Sequence, residues 1–435
     1  MPSPLRPARR LLIAPAVVLL TLVLAFAAAP RAHAAAGIKY GLSDDAWLTD
    51  GPGTVQQRVA TLKGLGVKIV RYSLHWNEIA TAEPAAPTDP TDSAYDWTDS
   101  DSVLDALRSA GIQVVLQLVG TPSWANGGKG ANWAPTSAAP FGAFATAAAH
   151  QYPWVKKWLI WNEPNQVIWL RPTSPAIYVT RLLNPAYTAL HHAIAGVQVA
   201  GGGTAPRGAT GGVSPVAWLK GMHTAGAHLD AYAHNPYPLD PKHETPTTGG
   251  CTSAACTTIT MSTLNRLETL VAKDFPHARI WLTEYGYQSD PPDRILGVSL
   301  ALQARYLSLG DYVAYHAPRV DMLIHFLYQD EPNVSRFQSG LVTLAGKIKP
   351  AYDAFELPLA EVSRTGDRVE LWGQLRAPTA GAVATVQRKV GSAWRTVTTV
   401  RRGAGGFFVW HGTLAKGSVV RLRAGSLTGA PLTIT

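Results

Sequence analysis

Cysteine is nearly absent: the 435-residue chain holds two, Cys251 and Cys256, inside the stretch GGCTSAACTT. A structural zinc needs about four ligands, and no further Cys or His lies within a few residues of this pair. In an exported chain, two nearby cysteines in a Gly/Ser/Thr loop pair as a disulfide. So small a ring stiffens its loop and adds little to global stability. No H-E-x-x-H and no Asp-rich calcium loop occurs, and no glycine-rich phosphate turn follows the first apolar strand, which removes the motif-borne metal and dinucleotide classes. After residue 34 no segment is apolar enough to cross a membrane.

Acidic residues are missing from the first 34 positions and scarce at the C-terminal end. The segment before Ala35 has four Arg and no acid, while Leu359 to Thr435 holds eleven Lys/Arg against three acids, a net of +8. With a total of +9, the stretch between carries −3. That distribution argues against nucleic acid as a partner. It suits a basic C-terminal module that meets an anionic surface such as a cell-wall polymer, or else presents a solvated face. At the start, Arg6, Arg9 and Arg10 precede an apolar run from Leu11 to Ala29, then Pro30, Arg31 and Ala32-His33-Ala34. A basic start, an apolar middle and an A-x-A site read as a secretory signal over residues 1–34, in competition with an uncleaved anchor. The expected protein is secreted, extracellular or cell-wall associated, and monomeric.

From Ile38 to about Phe355, short apolar strands alternate with amphipathic helical stretches. IKYGLSDD, KIVRYSLHW, QVVLQLVGTPSW, VKKWLIWNEP, VQVAGGG, LDAYAHNPYP, ARIWLTEYG and VDMLIHFLYQD read as eight strands, with helices such as VQQRVATLKGLGV between them. Eight βα units predict a (β/α)8 TIM barrel over residues 35–357, with an open doubly wound sheet as runner-up. After Pro358, alternating runs separated by Gly-rich turns predict a small immunoglobulin-like β-sandwich over residues 358–435.

Glu163 ends the fourth strand in IWNEPN, and Glu284 ends the seventh in IWLTEYG. They lie 121 residues apart, about three βα units of ~40 residues. Side chains at the C-terminal ends of barrel strands converge on one mouth, so the two carboxylates can face each other there. One acid to protonate a leaving oxygen, and one carboxylate to attack or to activate water, is the requirement of glycoside hydrolysis. The chemistry needs no metal or other cofactor.

The motifs WNEPN and TEYG resemble those of the clan A retaining glycoside hydrolases, closest to families 39 and 5. Arg71 in KIVRYSLHW, the YDW of Tyr95 to Trp97, the TPSW of Thr121 to Trp124 and the later KPAYDAF agree with it, over residues 38–356. The resemblance implies Glu163 as acid/base and Glu284 as nucleophile, with Asn162 bonding the sugar's 2-hydroxyl. Arg71 would keep the nucleophile ionised and Tyr237 would donate to it. His234 either orients Glu163 or sugar at the same mouth, or is a satisfied core histidine. Among the tryptophans, Trp124 and Trp169 are expected to stack on sugar and Trp281 to fill core, with Trp161 able to do either. Many clan members carry a tryptophan at the end of strand eight, where this chain has Phe326 and Tyr328 in HFLYQDEP. The implied activity is double displacement on an extracellular polysaccharide or oligosaccharide. A transglycosylase of the same architecture and a catalytically lost carbohydrate- or wall-binding protein are the alternatives. Loops Thr81–Ser100 and Asp240–Thr258 are expected to shape the cleft.

Overall fold

The structure is a computed structural model that describes Met1 and residues 37–435. Beyond Met1, the leader read over residues 1–34 lies outside the described residues. Eight parallel strands close into a barrel. They are β1 (Lys39–Ser43), β2 (Ile69–His75), β3 (Gln113–Val119), β4 (Lys157–Ile160), β5 (Gln198–Thr204), β6 (Ala231–His234), β7 (Arg279–Tyr285) and β8 (Val320–Phe326). Each pairs with its sequence neighbours, and β8 pairs with β1. The open-sheet alternative is thereby excluded.

The helices stop where the local chemistry says they should. Val55–Gly64 opens on a capping box in which Thr54 and Gln57 satisfy each other's backbone N–H groups. Thr98–Ala110 ends on Gly111 at φ 71, a left-handed cap that costs glycine nothing. The helices bury aromatic layers against the sheet, among them Trp76 stacked on Phe144 and Trp97 parallel to Phe144. Inside the barrel, Ile69, Val115, Leu159, Ala200, Ala231, Ala233, Trp281, Met322 and Ile324 form a separate apolar plug. Trp281 is a core residue, as expected.

The C-terminal strands form two antiparallel sheets. The first contains β9 (Leu359–Thr365), β10 (Arg368–Gln374) and β13 (Phe407–Thr413). The second contains β11 (Val383–Val390), β12 (Ala393–Arg401) and β14 (Val419–Ala424), extended by the short β15 (Leu427–Thr428) and β16 (Leu432–Thr433). The half-polar β9 falls outside the apolar runs legible in the sequence. Leu371 faces the sandwich core while its neighbour Trp372 faces the barrel, because successive strand residues alternate faces. At the seam, Phe407 packs 4.3 Å from Tyr315 and edge-on to Tyr40. Arg376 bonds Asp311 at 2.5 Å, with its guanidinium 4.1 Å above the Tyr40 ring. Tyr40 lies near the start of β1, so the sandwich sits at the end of the barrel opposite the strand C-termini. His33–Thr435 forms one compact unit. Cys251 and Cys256 are disulfide-bonded. Among the described residues no helix is long and apolar enough to cross a membrane.

Candidate active site

Strand periodicity carries the inward row from apolar to polar toward the mouth. Ile69 and Val115 belong to the plug, and two residues further along each strand come Arg71 and Gln117. Both are buried, so each must find partners. Gln117 accepts from Ser73 at 2.9 Å and donates to the Trp161 carbonyl at 2.9 Å. Arg71 donates to Ser43 at 3.1 Å and pairs with Glu284 at 2.5 Å.

Glu284 owes its direction to a bulge. On β8, Leu323 and His325 are two residues apart, yet they oppose Leu282 and Tyr285 on β7, which are three apart. The extra residue breaks strict alternation. Thr283 and its neighbour Glu284 can therefore both serve the mouth. Thr283 donates to the Asn235 side-chain Oδ1 at 2.8 Å, and Glu284 receives Arg71 on one oxygen and the Tyr237 hydroxyl, at 3.0 Å, on the other. Burial, with Glu284 close by, drives the Tyr237 pKa far up, so it acts as a fixed hydrogen-bond donor.

Glu163 is presented by a turn. Past the end of β4, Trp161 has φ 69 and Glu163 has φ 35, both in the left-handed region that side chains avoid. Such residues cost about 1–3 kcal/mol each and persist only where the surroundings over-determine them. Here the Trp161 amide donates to Leu118, its carbonyl accepts from Gln117, and the Glu163 amide donates to Gly203 at 3.0 Å. Gly203 itself has φ 51, and a Cβ there would stand 3.3 Å from the Trp161 carbonyl oxygen. The Trp161 indole donates to the Trp169 carbonyl at 2.8 Å, so a core tryptophan fixes one at the rim.

The two carboxyl groups share a cavity of about 270 Å³, walled also by Arg71, Gln117, Asn162, Trp169, Phe326, Phe337 and Asp44. Their surroundings differ. Burial and the Glu284 charge push the Glu163 pKa up to about 8, against weaker opposition from its Asn235 hydrogen bond and Arg71. Glu284 instead sits against a guanidinium. The two carboxyls of one cavity thus have unlike partners.

Of the residues picked out from sequence, Arg71, Asn162, Tyr237, Trp169 and Phe326 gather around these carboxyls. Asn162 stands 3.5 Å from the Gln117 amide. His234 does not join them. It is fully buried, with Nε2 against the Ile259 carbonyl at 3.1 Å and Nδ1 against the Thr204 hydroxyl at 2.8 Å. A carbonyl only accepts, so Nε2 carries the proton and Nδ1 accepts from Thr204. Its role at the mouth is corrected to that of a satisfied core histidine. Trp124 and Tyr328 stand apart from this cavity. Trp124 donates to the Ala80 carbonyl and packs edge-on to Trp76, while Tyr328 stacks 3.9 Å from Trp47, and neither lines the cavity.

Asn235, next to His234, is the residue that sequence reasoning passed over. Its side-chain amide donates to Glu163 at 3.1 Å. Asp44 is another: it accepts from the backbones of Trp47, Tyr328 and Gln329, which ties the ends of β1 and β8 together. Burial raises its pKa to about 7. A second cavity of about 290 Å³ shares Asp45, Ser73 and His75 with the first and adds Asp50, Glu78, Asp96 and Asp99. The Thr81–Ser100 insertion thus contributes Asp96, Asp99 and Ser100 to a cavity wall, whereas residues 240–258 line neither cavity.

No family model matches the chain, and no curated protein sequence does. Solved structures do. A family 39 glycoside hydrolase from Bacteroides cellulosilyticus superposes with a TM-score of 0.60 at 15% identity, covering 87% of this chain and 80% of its own. A β-glucosidase from Thermotoga maritima matches with TM-score 0.50 at 12% identity over 73% and 96% of the two chains. A β-glucuronidase from Bacteroides uniformis matches with TM-score 0.50 at 12% identity, over 92% of this chain and 45% of its own. The chain thus has the barrel fold seen in these glycoside hydrolases.

Proposed function

We propose that this chain is a secreted retaining glycoside hydrolase acting on a polysaccharide or oligosaccharide, with the barrel of residues 35–357 as its catalytic domain. The observation that carries the reading is the pair of differently held carboxyls in one cavity: Glu163, half-buried with its pKa pushed up, and Glu284, held by Arg71 and Tyr237. In the first step Glu284 attacks the anomeric carbon as the glycosidic C–O bond breaks, and Glu163 gives its proton to the departing oxygen. Glu163, now a carboxylate, takes a proton from water. The water oxygen attacks the same carbon and releases Glu284 with net retention. Asn162 is assigned to the 2-hydroxyl, and Trp169 and Phe326 to the sugar faces.

Export is supported by the basic–apolar–AHA leader and by the disulfide. It is tested by the N-terminal residue of protein collected from culture medium. The catalytic reading is tested with a glycan panel, comparing wild type and Glu284→Ala. Sugar release by wild type alone, with azide restoring turnover in the variant and giving the inverted glycosyl azide, is the expected result. Full activity of Glu284→Ala would overturn it.

A further inference from the structure

The last acidic residue of the chain is Glu370. The 65 residues from Leu371 to Thr435 contain nine Lys/Arg and no Asp or Glu. The module's three acids, Glu361, Asp367 and Glu370, lie on β9, on β10 and in the turn between them, in the sheet that seats on the barrel. The second sheet of the sandwich therefore carries charge of one sign only.

Strand parity fixes where that charge points. On β14, buried Val420, Leu422 and Ala424 alternate with Arg421 and Arg423, which face outward. Residues directly opposite in an antiparallel pair share a face. Arg421 opposes Gln387 on β11, and two residues along that strand Lys389 opposes Trp394 on β12. At the other end of the same row Val383 opposes Arg401. Four cations and one tryptophan thus share an outer face that points away from the barrel. Arg421 lies 4.1 Å over the Trp394 ring, and its Nε donates to Gln387 at 3.0 Å. Among the described residues its Nη groups bond no other protein atom, and none of the four cations has an acidic partner.

We infer that the outer face of β11, β12 and β14 binds an anionic polysaccharide, with the Arg421 fork held on Trp394 as its central contact. Arg421 and Arg423 stand about 6.8 Å apart along one strand, and Lys389 and Arg401 lie diagonal to them, one and two strands away, across the neutral Gln387 and Thr385. Such a grid meets anions that recur along an extended polymer. A planar guanidinium pinned by stacking presents its remaining N–H groups to carboxylate or phosphate oxygens with little further ordering. The crowding is felt within the protein, where partial burial and the Arg423 charge hold the Arg421 pKa below its ordinary value. The face lies at the opposite end from the carboxyl cavity, so an anchored molecule keeps its mouth free. The choice of a glycan over another polyanion rests on the glycosidase reading. Binding itself is read without turnover, so the two stand or fall separately.

The test is retention of the intact protein by immobilised polygalacturonate, by poly(glycerol phosphate), by fully methyl-esterified pectin and by duplex DNA, at low and high salt. Polygalacturonate retention that weakens at least about tenfold at high salt, with methyl-esterified pectin left unbound, is expected for a carboxylated glycan. Retention by poly(glycerol phosphate) alone would overturn a polysaccharide as the occupant. Arg421→Glu/Arg423→Glu should lower retention at least about tenfold, with thermal unfolding and glycan turnover unchanged. If that pair disturbs folding, Lys389→Glu/Arg401→Glu carries the same expectation. Undiminished retention in a folded variant, equal affinity for the neutral pectin, or tighter binding to DNA overturns the proposal.

Discussion

Asn235 holds Glu163: its side-chain amide donates to the carboxyl oxygen at 3.1 Å, while its own carbonyl is fixed by the Thr283 hydroxyl at 2.8 Å. The acid on one side of the mouth is thus oriented from the strand that carries the opposing carboxylate. Asn235→Ala removes a bond that lowers the Glu163 pKa, so the alkaline limb of the pH–rate profile should move upward. A hydrogen bond to a charged group is worth about 1.5–3 kcal/mol, which sets the expected loss in kcat at about 10- to 100-fold. A merely structural role would leave the limb in place. Steady-state kinetics across pH on a substrate from the glycan panel decide it.

Arg71 is buried against Glu284, and removing one partner of such a pair strands the other. Arg71→Met should destabilise the fold by about 3–5 kcal/mol and abolish turnover. Arg71→Lys should restore charge but not the simultaneous contacts to Ser43 and Glu284, and should recover stability better than kcat. Urea midpoints and rates of the two variants, measured side by side, check the split.

Glu163 carries its proton in the folded state up to about pH 8, well above its unfolded value of 4.5. The native state therefore binds more protons between those limits, and this residue's contribution to stability falls as pH rises from 4.5 to 8. Glu163→Gln keeps the neutral shape and removes the titration. Its stability relative to wild type should improve on going from pH 4 to pH 8, although acid catalysis is lost. In the wild type, kcat/KM should fall as pH passes about 8, because the acid has then lost its proton. Denaturation midpoints at the two pH values, with the rate profile, test both statements.

His234 and His325 behave in the opposite sense. Burial lowers both pKa values from 6.5 to about 4. The unfolded chain then binds more protons between pH 4 and 6.5, so stability is full above pH 6.5 and is lost as pH falls toward 4. Each shift corresponds to about 3 kcal/mol. His234→Gln should flatten the acid side of the stability profile without changing KM, as suits a histidine outside the cavity. A change in KM with stability untouched would return His234 to the mouth.

At the seam, Arg376 and Asp311 form a buried pair between sandwich and barrel. Burial raises the Asp311 pKa to about 6 against the pull of Arg376. Arg376→Ala should leave a buried carboxyl without its partner and cost about 3–5 kcal/mol. Protease should then cut earlier near residues 357–360, which a time course on wild type and variant would show.

Local patterning sets the alternation of two hydrophobic periods, and with it eight strands, their intervening helices and a final all-β module. It also determined that two glutamates close the fourth and seventh strands, because strand ends are marked by local apolar runs and the turn residues beyond them. It could not determine which neighbours of those glutamates reach them. His234 and Asn235 are adjacent, and the face each takes depends on the exit of β6 toward Pro236, so the histidine entered the core and the asparagine met Glu163. The same holds for Thr283 and Glu284, whose shared service to the mouth depends on an extra residue in β7 that only its pairing with β8 reveals. A shift of one residue changes the side of the sheet a side chain occupies, and register is set by partners distant in sequence. Trp124 and Tyr328 lie outside the carboxyl cavity for a related reason: an aromatic side chain packs on protein as readily as on a sugar, and their partners, Ala80 and Trp47, are distant in sequence.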